Sequence, residues 1–179
     1  MSVIDKVVNA VTPAETAKDR ADVRVKARAI ASPGDWFSLI LDHHVRLEEA
    51  FAATKVAPDG PSRVAAMKEL SVVLMGHAIA EEAVIYPAMG GAGEKGHATT
   101  GYDEQVEVKL EMAKLEKLNP ASQDFLDKVE EIRQAVAHHM YEEEGDWYPE
   151  LKKNAPATDQ AQITKRYEEE FKRYVGADA

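Results

Sequence analysis

Twice in this chain a histidine is followed four residues later by a glutamate, and then by a tyrosine–proline pair. One copy reads His77-Ala78-Ile79-Ala80-Glu81-Glu82 ahead of Tyr86-Pro87, the other His139-Met140-Tyr141-Glu142-Glu143-Glu144 ahead of Tyr148-Pro149. Four residues along a helix advance it by about 6 Å and rotate it by about 40°, so both side chains point the same way. Imidazole and carboxylate together are the donor set of iron, manganese and zinc sites. The alternating three-and-four spacing of an amphipathic helix puts each pair on an apolar stripe. The first stripe is Leu70, Leu74, His77, Glu81, Val84 and Ala88; the second is Phe125, Val129, Ile132, Val136, His139, Glu143 and Trp147. A carboxylate in a dry core costs several kcal/mol unless something charged compensates it. One such pair is explained by a core histidine bonded to a buried glutamate. Two of them, with no lysine or arginine on either stripe, point to a bound cation.

The two copies lie 62 residues apart and match at His, Glu, Glu, Tyr and Pro. Such a repeat predicts two helical hairpins related by a pseudo-twofold axis, each giving half of one central site. An earlier helix carries Ile40, His44, Leu47 and Phe51 on its stripe, with Glu48 four residues after His44. The repeat places His44's counterpart at Gln105, on the stripe Gln105, Val108, Met112, Leu115. An amide is a poor ligand, so Glu104 and Tyr102 are the candidates to compensate there. His43 and His138 sit about 100° off the seam and are expected in supporting or surface roles. His97 is expected at a helix start or in solvent, and Glu142 and Glu144 on a solvated face. Met67, Met75 and Met112 read as core filler.

These residues need helices to position them, and helix-start signals recur wherever the apolar pattern restarts. They are Thr12-Pro13-Ala14-Glu15, Ser32-Pro33-Gly34-Asp35, Asp59-Gly60-Pro61-Ser62, Asn119-Pro120 and Thr158-Asp159. The pattern predicts a short N-terminal helix, an arm near 13–30, and core helices near 33–55, 62–87, 98–118 and 120–148. A last helix is expected over 158–174, and the Gly-rich stretch 90–96 as a flexible crossing. No segment reads as a strand. The fold class is therefore all-α: an up-down four-helix bundle over 32–150, a helical arm over 1–31, and a C-terminal helix over 151–179 packed on the bundle. The arm mixes Lys18, Arg20, Arg24, Lys26 and Arg28 with Asp19 and Asp22, which suits a helix docked on an acidic bundle.

At 179 residues the chain suits one domain with a sizeable core. A formal net charge of −10 disfavours nucleic acid and anionic membrane surfaces as partners. With no cysteine, disulfides, thiolate sites and iron–sulfur clusters are excluded. No apolar run reaches membrane-span length and no charged-then-apolar signal opens the chain, so a cytoplasmic protein is expected.

A histidine on the first helix and two copies of His-x-x-x-Glu-Glu before Tyr-Pro resemble the hemerythrin-like, HHE-type cation-binding family. The resemblance spans roughly residues 33–150. It implies a four-helix bundle holding a non-haem di-iron centre, oxo- or hydroxo-bridged. It carries the ligand role onto His44, His77, Glu81, His139 and Glu143, with the glutamates as bridges. The family's third-helix histidine falls on Gln105 and is absent. Iron is thus the expected metal, with manganese or zinc behind it, and zinc more often forms a closed four-ligand site. The leading functional expectation is a protein that binds or reacts with dioxygen, peroxide or nitric oxide. The alternatives are an iron- or oxygen-responsive module acting on a protein partner, and a metal-free interaction bundle. The last requires arginine or lysine to pair the buried glutamates.

Overall fold

The computed structural model describes residues 15–176. Those residues form helices and turns, with no strand among them. The expected short N-terminal helix and the Thr12 cap lie outside the described residues. Helix α1, the arm, spans Ala17–Ile30 and starts from a reciprocal cap between Thr16 and Asp19. Helix α2 covers Trp36–Val56. Its cap is Asp35 itself, which accepts from the Ser38 amide at 2.8 Å, and not the expected Ser32. Helix α3 starts at Gly60 from an Asp59 cap, with proline in its first turn, and runs to Gly91. Helix α4 is Lys95–Leu115. It begins inside the Gly-rich stretch, so the expected crossing shrinks to residues 92–94. Helix α5 starts at Gln123 and is capped by Ser122, not Asn119; it runs past 150 to Asn154. Helix α6, Ala157–Val175, begins after Pro156 without the side-chain cap expected from Thr158.

Helices α2 to α5 form the bundle, and α6 packs along α2 and α3 through Ile163, Tyr167 and Phe171. Two apolar clusters fill the interior. One gathers Trp36, Phe37, Ile85, Tyr86, Tyr148 and Tyr167. The other gathers Leu47, Phe51, Leu70, Phe125, Ile132 and Met140. Three of the polar residues fall where one cluster gives way to the other along their helices: His44 between Leu41 and Leu47, His77 between Leu74 and Ala80, and Glu143 between Met140 and Trp147. A polar layer thus lies between two apolar ones, shielded from water at both ends.

The arm docks as its charge pattern suggested. Arg24 pairs with Glu48 and Glu144, and Arg28 with Asp42. One expectation is corrected: α3 is long and apolar enough to cross a membrane, with a mean hydropathy of 1.3 over its best window. More than half of that window is buried in the protein, and the helix carries His77 and Glu81 on its inward side. Its apolar character is that of a core helix.

Candidate metal centre

Both repeats contain a feature that spacing alone does not show. At Glu81–Ile85 and again at Glu143–Trp147 the helix widens into a π turn. The amide of Tyr86 bonds back to the Glu81 carbonyl, and that of Tyr148 to the Glu143 carbonyl, five residues each. The prolines at 87 and 149 explain the location. A proline in a regular helix clashes with the carbonyl four residues earlier and removes an amide donor, and one extra residue per turn absorbs that conflict. In a straight helix Tyr86 would sit about 140° around from Glu81. The widened turn brings both tyrosines inward, where they are buried. Gly101 on α4 makes room for one of them: a Cβ there would lie 2.7 Å from the Tyr86 ring.

Four side chains from α2, α3 and α5 converge. One ligand atom from each of His44, His77, Glu81 and Glu143 falls within 4.8 Å of every other, and all four residues are buried. His44 Nε2 lies 3.4 Å from Glu143 Oε2, and His77 Nε2 lies 3.2 Å from Glu81 Oε2. Glu143 turns its other oxygen to a third imidazole, with Oε1 3.1 Å from His139 Nε2. The Tyr148 hydroxyl bridges the two carboxyls, donating to the ionised Glu143 and accepting from the protonated Glu81, and Tyr86 donates to Glu143 at 3.2 Å.

The fit to a cation rests on what these groups lack. His44 Nε2, His77 Nε2 and Glu143 Oε2 are buried without a hydrogen-bond partner, as is Gln105 Oε1. Buried polar atoms without partners are rare, and several converging on one point match a ligand shell. Among the described residues no lysine or arginine pairs with Glu81 or Glu143, so the condition for a metal-free bundle is not met there.

In the metal-free protein protons take the place of an ion among these groups. Burial, reinforced by the neighbouring Glu143, pushes the Glu81 carboxyl up to about 8. Burial opposes charge on His44, but Glu143 and Glu144 outweigh it and raise the imidazole to about 9. Burial also opposes charge on Glu143, and His139 and His44 hold that carboxyl well below the usual range. In His77, burial and then the nearby His44 keep the ring neutral. A neutral imidazole is the form that binds a metal.

Each ligand-type histidine is oriented from behind. His44 Nδ1 faces Glu144 at 2.8 Å, His139 Nδ1 faces Glu104 at 2.7 Å, and His77 Nδ1 faces the Tyr167 hydroxyl at 3.1 Å. A partner on Nδ1 sets the tautomer that leaves Nε2 for a cation.

Several site expectations need correction. Glu48 does not reach the centre: its side chain is 43% exposed and paired with Arg24. Glu104 bonds Nδ1 of His139, on the ring edge opposite the Nε2 that faces Glu143, rather than filling the corner at Gln105. Tyr102 donates to the Glu82 carbonyl and also stays outside. Gln105 itself is buried, donating to Glu81 and to the Tyr86 oxygen, each at 2.7 Å. Glu144, expected on a solvated face, is 2% exposed. His43 lies off the centre, stacked on Phe171 and 2.8 Å from the Tyr167 hydroxyl. His138 faces Glu15, and His97 stacks on Trp147, partly exposed.

Glu144 and Tyr167 were missed as contributors. The signal for Tyr167 was present, since Ile163, Tyr167 and Phe171 repeat at four-residue steps on the last helix. For Glu144 the one signal was its place as the second glutamate of the repeat, and that did not mark it as buried: its counterpart Glu82 pairs with Lys109, and the environment of Glu144 depends on where the arm docks.

Comparison with known proteins agrees with this geometry. The family model described as hemerythrin HHE cation binding domain matches residues 35–151. The chain belongs to that family. Within this hemerythrin HHE protein, the match begins at the cap of α2 and ends in the last turns of α5, enclosing every residue of the buried cluster. The curated DNA nickase of Nostoc sp. (strain PCC 7120 / SAG 25.82 / UTEX 2576) is 29% identical over 99 residues. That alignment takes in 55% of this chain and only 27% of the relative. No solved structure matches the chain significantly.

Proposed function

We propose that the protein is a non-haem di-iron protein whose buried centre binds or reacts with a small oxidant: dioxygen, peroxide or nitric oxide. The observation that carries this reading is the placement of Glu143. It presents Oε2 to His44 at 3.4 Å and Oε1 to His139 at 3.1 Å. A carboxylate with its two oxygens toward two different imidazoles suits a bridge between two cations better than a single closed site. His44 and His77 would hold one iron and His139 the other, with Glu81 beside Glu143 between them. The imidazole and carboxylate donors admit iron, manganese and zinc alike, and two carboxylates shared at the centre of a bundle favour iron or manganese among them. Bound iron supplies Lewis acidity and electrons.

The chain's own residues account for the rest. Tyr86 and Tyr148 hold the carboxylates in place through their hydroxyls. A pocket of about 20 Å³ lies between Leu74, Met75, Val108, Val136 and Met140, and His77, Gln105, His139 and Lys109 also line it. It has room for about one water-sized molecule, in keeping with a small ligand. A second reading, an iron- or oxygen-responsive module acting on a protein partner, is favoured by one observation: the arm reaches His44 through Arg24 and Glu144. The similarity to a DNA nickase is not carried over, since a chain of net charge −10 has the wrong sign for a phosphate backbone.

Metal analysis and absorption spectroscopy of the purified protein test the proposal. Close to two irons per chain, with an oxo-to-iron band in the near ultraviolet that responds to peroxide or nitric oxide, is the expected result. Stoichiometric zinc without iron after growth in iron-replete medium overturns it.

A further inference from the structure

The arm belongs to no part of the matched domain, which begins at residue 35, yet one of its side chains reaches the buried layer. Arg24 lays its guanidinium against Glu144, with Nε 3.0 and 3.1 Å from the two carboxylate oxygens and Nη2 2.7 Å from Oε1. Its remaining nitrogen, Nη1, donates to Glu48 at 2.7 Å. Glu144 in turn accepts from His44 Nδ1 at 2.8 Å. Both Glu144 and His44 are almost completely withdrawn from water. The arm packs beside the next residue as well: a Cβ on Gly145 would meet the Val23 side chain in ordinary contact at 3.4 Å.

We propose that Arg24 is a positioning residue for the metal centre, clamping Glu144 against His44 from the N-terminal arm. The inference rests on the reading of the cluster as a metal centre and adds a regulatory part to it. A carboxylate accepts hydrogen bonds only, so Glu144 keeps the proton of His44 on Nδ1 and leaves Nε2 for the cation. A lone buried carboxylate would turn toward solvent; the planar fork of an arginine holds it in one orientation. Undocking the arm would therefore release Glu144, loosen His44 and weaken the metal, without any contact between the arm and the ion. Groups that orient metal-bound histidines in this way typically contribute about 10- to 100-fold in affinity.

The test measures ferrous iron release to an excess of chelator under anaerobic conditions, together with the visible spectrum of the cobalt(II)-loaded protein. The variants are Arg24→Gln, Arg24→Lys, Glu144→Gln, the Arg24→Gln/Glu144→Gln pair, and Arg28→Gln. Arg28 serves as the control, because it ties the same arm to Asp42 at 2.6 Å and touches nothing in the site. Arg24→Gln is expected to release iron about tenfold faster and to shift the cobalt bands. Arg24→Lys, which keeps the charge but not the fork, should fall between it and the wild type. In the Glu144→Gln background the Arg24 effect should largely vanish, since a clamp with nothing to hold is silent. Wild-type release from Arg24→Gln, an undiminished effect in the double variant, or equal acceleration by Arg28→Gln each overturns the proposal. A wild-type protein that takes up neither iron nor cobalt overturns the metal-centre reading itself, and the inference falls with it.

Discussion

The Tyr167 hydroxyl lies 3.1 Å from Nδ1 of His77, so the last helix reaches the centre although it lies outside the bundle. The same oxygen lies 2.8 Å from Nδ1 of His43. A hydroxyl has one proton to give, and that decides the direction of both bonds. For His77 to offer Nε2 to a cation, its proton must sit on Nδ1 and be donated to Tyr167. Tyr167 then donates to His43, whose ring stays neutral because burial holds its pKa down to about 3. Tyr167→Phe leaves two buried nitrogens without a partner. It is expected to lower stability by about 1–3 kcal/mol and to weaken metal binding. Urea unfolding of the metal-free protein and an iron titration check the two effects; a variant matching the wild type in both refutes the assignment.

Substitution of the ligand-type histidines should separate from substitution of their neighbours. His77→Ala and His139→Ala are expected to lose iron, because their Nε2 atoms face Glu81 and Glu143. His43→Ala and His138→Ala should keep most of it, since His43 faces Tyr167 and His138 faces Glu15. Glu48→Gln should also keep it. Iron per chain by mass spectrometry decides, and equal loss in every variant would show that the convergence on one centre is wrong.

Metal should stabilise this fold strongly. Glu81 and Glu143 are both fully buried, and without an ion burial and the neighbouring Glu143 keep Glu81 protonated, its carboxyl pushed up to about 8; a bound cation relieves the cost of ionising it. An ion that binds the native state alone raises its stability by mass action. Stripping the metal is expected to lower the melting temperature, and Glu81→Gln should abolish most of the gain on reloading. An unchanged melting temperature on loading contradicts this.

A surface network far from the centre gives a pH signature of its own. Hydrogen bonding to Arg133, with Lys55 adding to it, pulls the Glu130 carboxyl down to about 2 from a usual 4.5. A carboxylate depressed in the folded state contributes stability above its unfolded pKa and loses it as pH falls through the folded value. The network is solvent-screened, so its contribution is about 0.5–1 kcal/mol. Glu130→Gln should therefore be slightly less stable than the wild type at pH 7, and the gap should close between pH 4.5 and 2. A gap independent of pH would rule out the ion pairs as its source.

The convergence of His44, His77, Glu81 and Glu143 was legible in the sequence because helical spacing is local: four residues share a face wherever the helix goes. The fold class was legible for the same reason. What the sequence left open depends on the third dimension. The π turns follow from a proline acting on the turn before it, and the regular stripe hid them. Glu144 closes the acidic run Glu142-Glu143-Glu144 and reads as solvated; the docking of Arg24 from one side and His44 from the other buries it. Glu48 has the same spacing from His44 that Glu81 has from His77, yet it faces the arm rather than the core. Spacing identified candidate ligands, and packing selected among them.

Gln105 is where the repeat departs from itself, and its geometry sharpens the test of that position. Its amide nitrogen donates to Glu81 and to the Tyr86 oxygen, which leaves its carbonyl oxygen buried and unpaired. An imidazole there can keep one donor for Glu81 and offer its second nitrogen to an ion, and imidazole is a stronger donor to iron than a neutral amide oxygen. Gln105→His is therefore expected to hold the second iron more tightly and to raise its occupancy. The competing view gives that corner to Glu104 or Tyr102, which would make the new histidine redundant. The positions found argue against it: Glu104 bonds the far nitrogen of His139, and Tyr102 bonds the Glu82 carbonyl. On the arrangement described, Tyr102→Phe should leave iron binding unchanged, while Glu104→Gln should weaken it indirectly by freeing the His139 ring. Iron titrated side by side into the three metal-free variants separates the two views. Unchanged affinity in Gln105→His together with iron loss in Tyr102→Phe would mean that an oxygen ligand already occupies the corner.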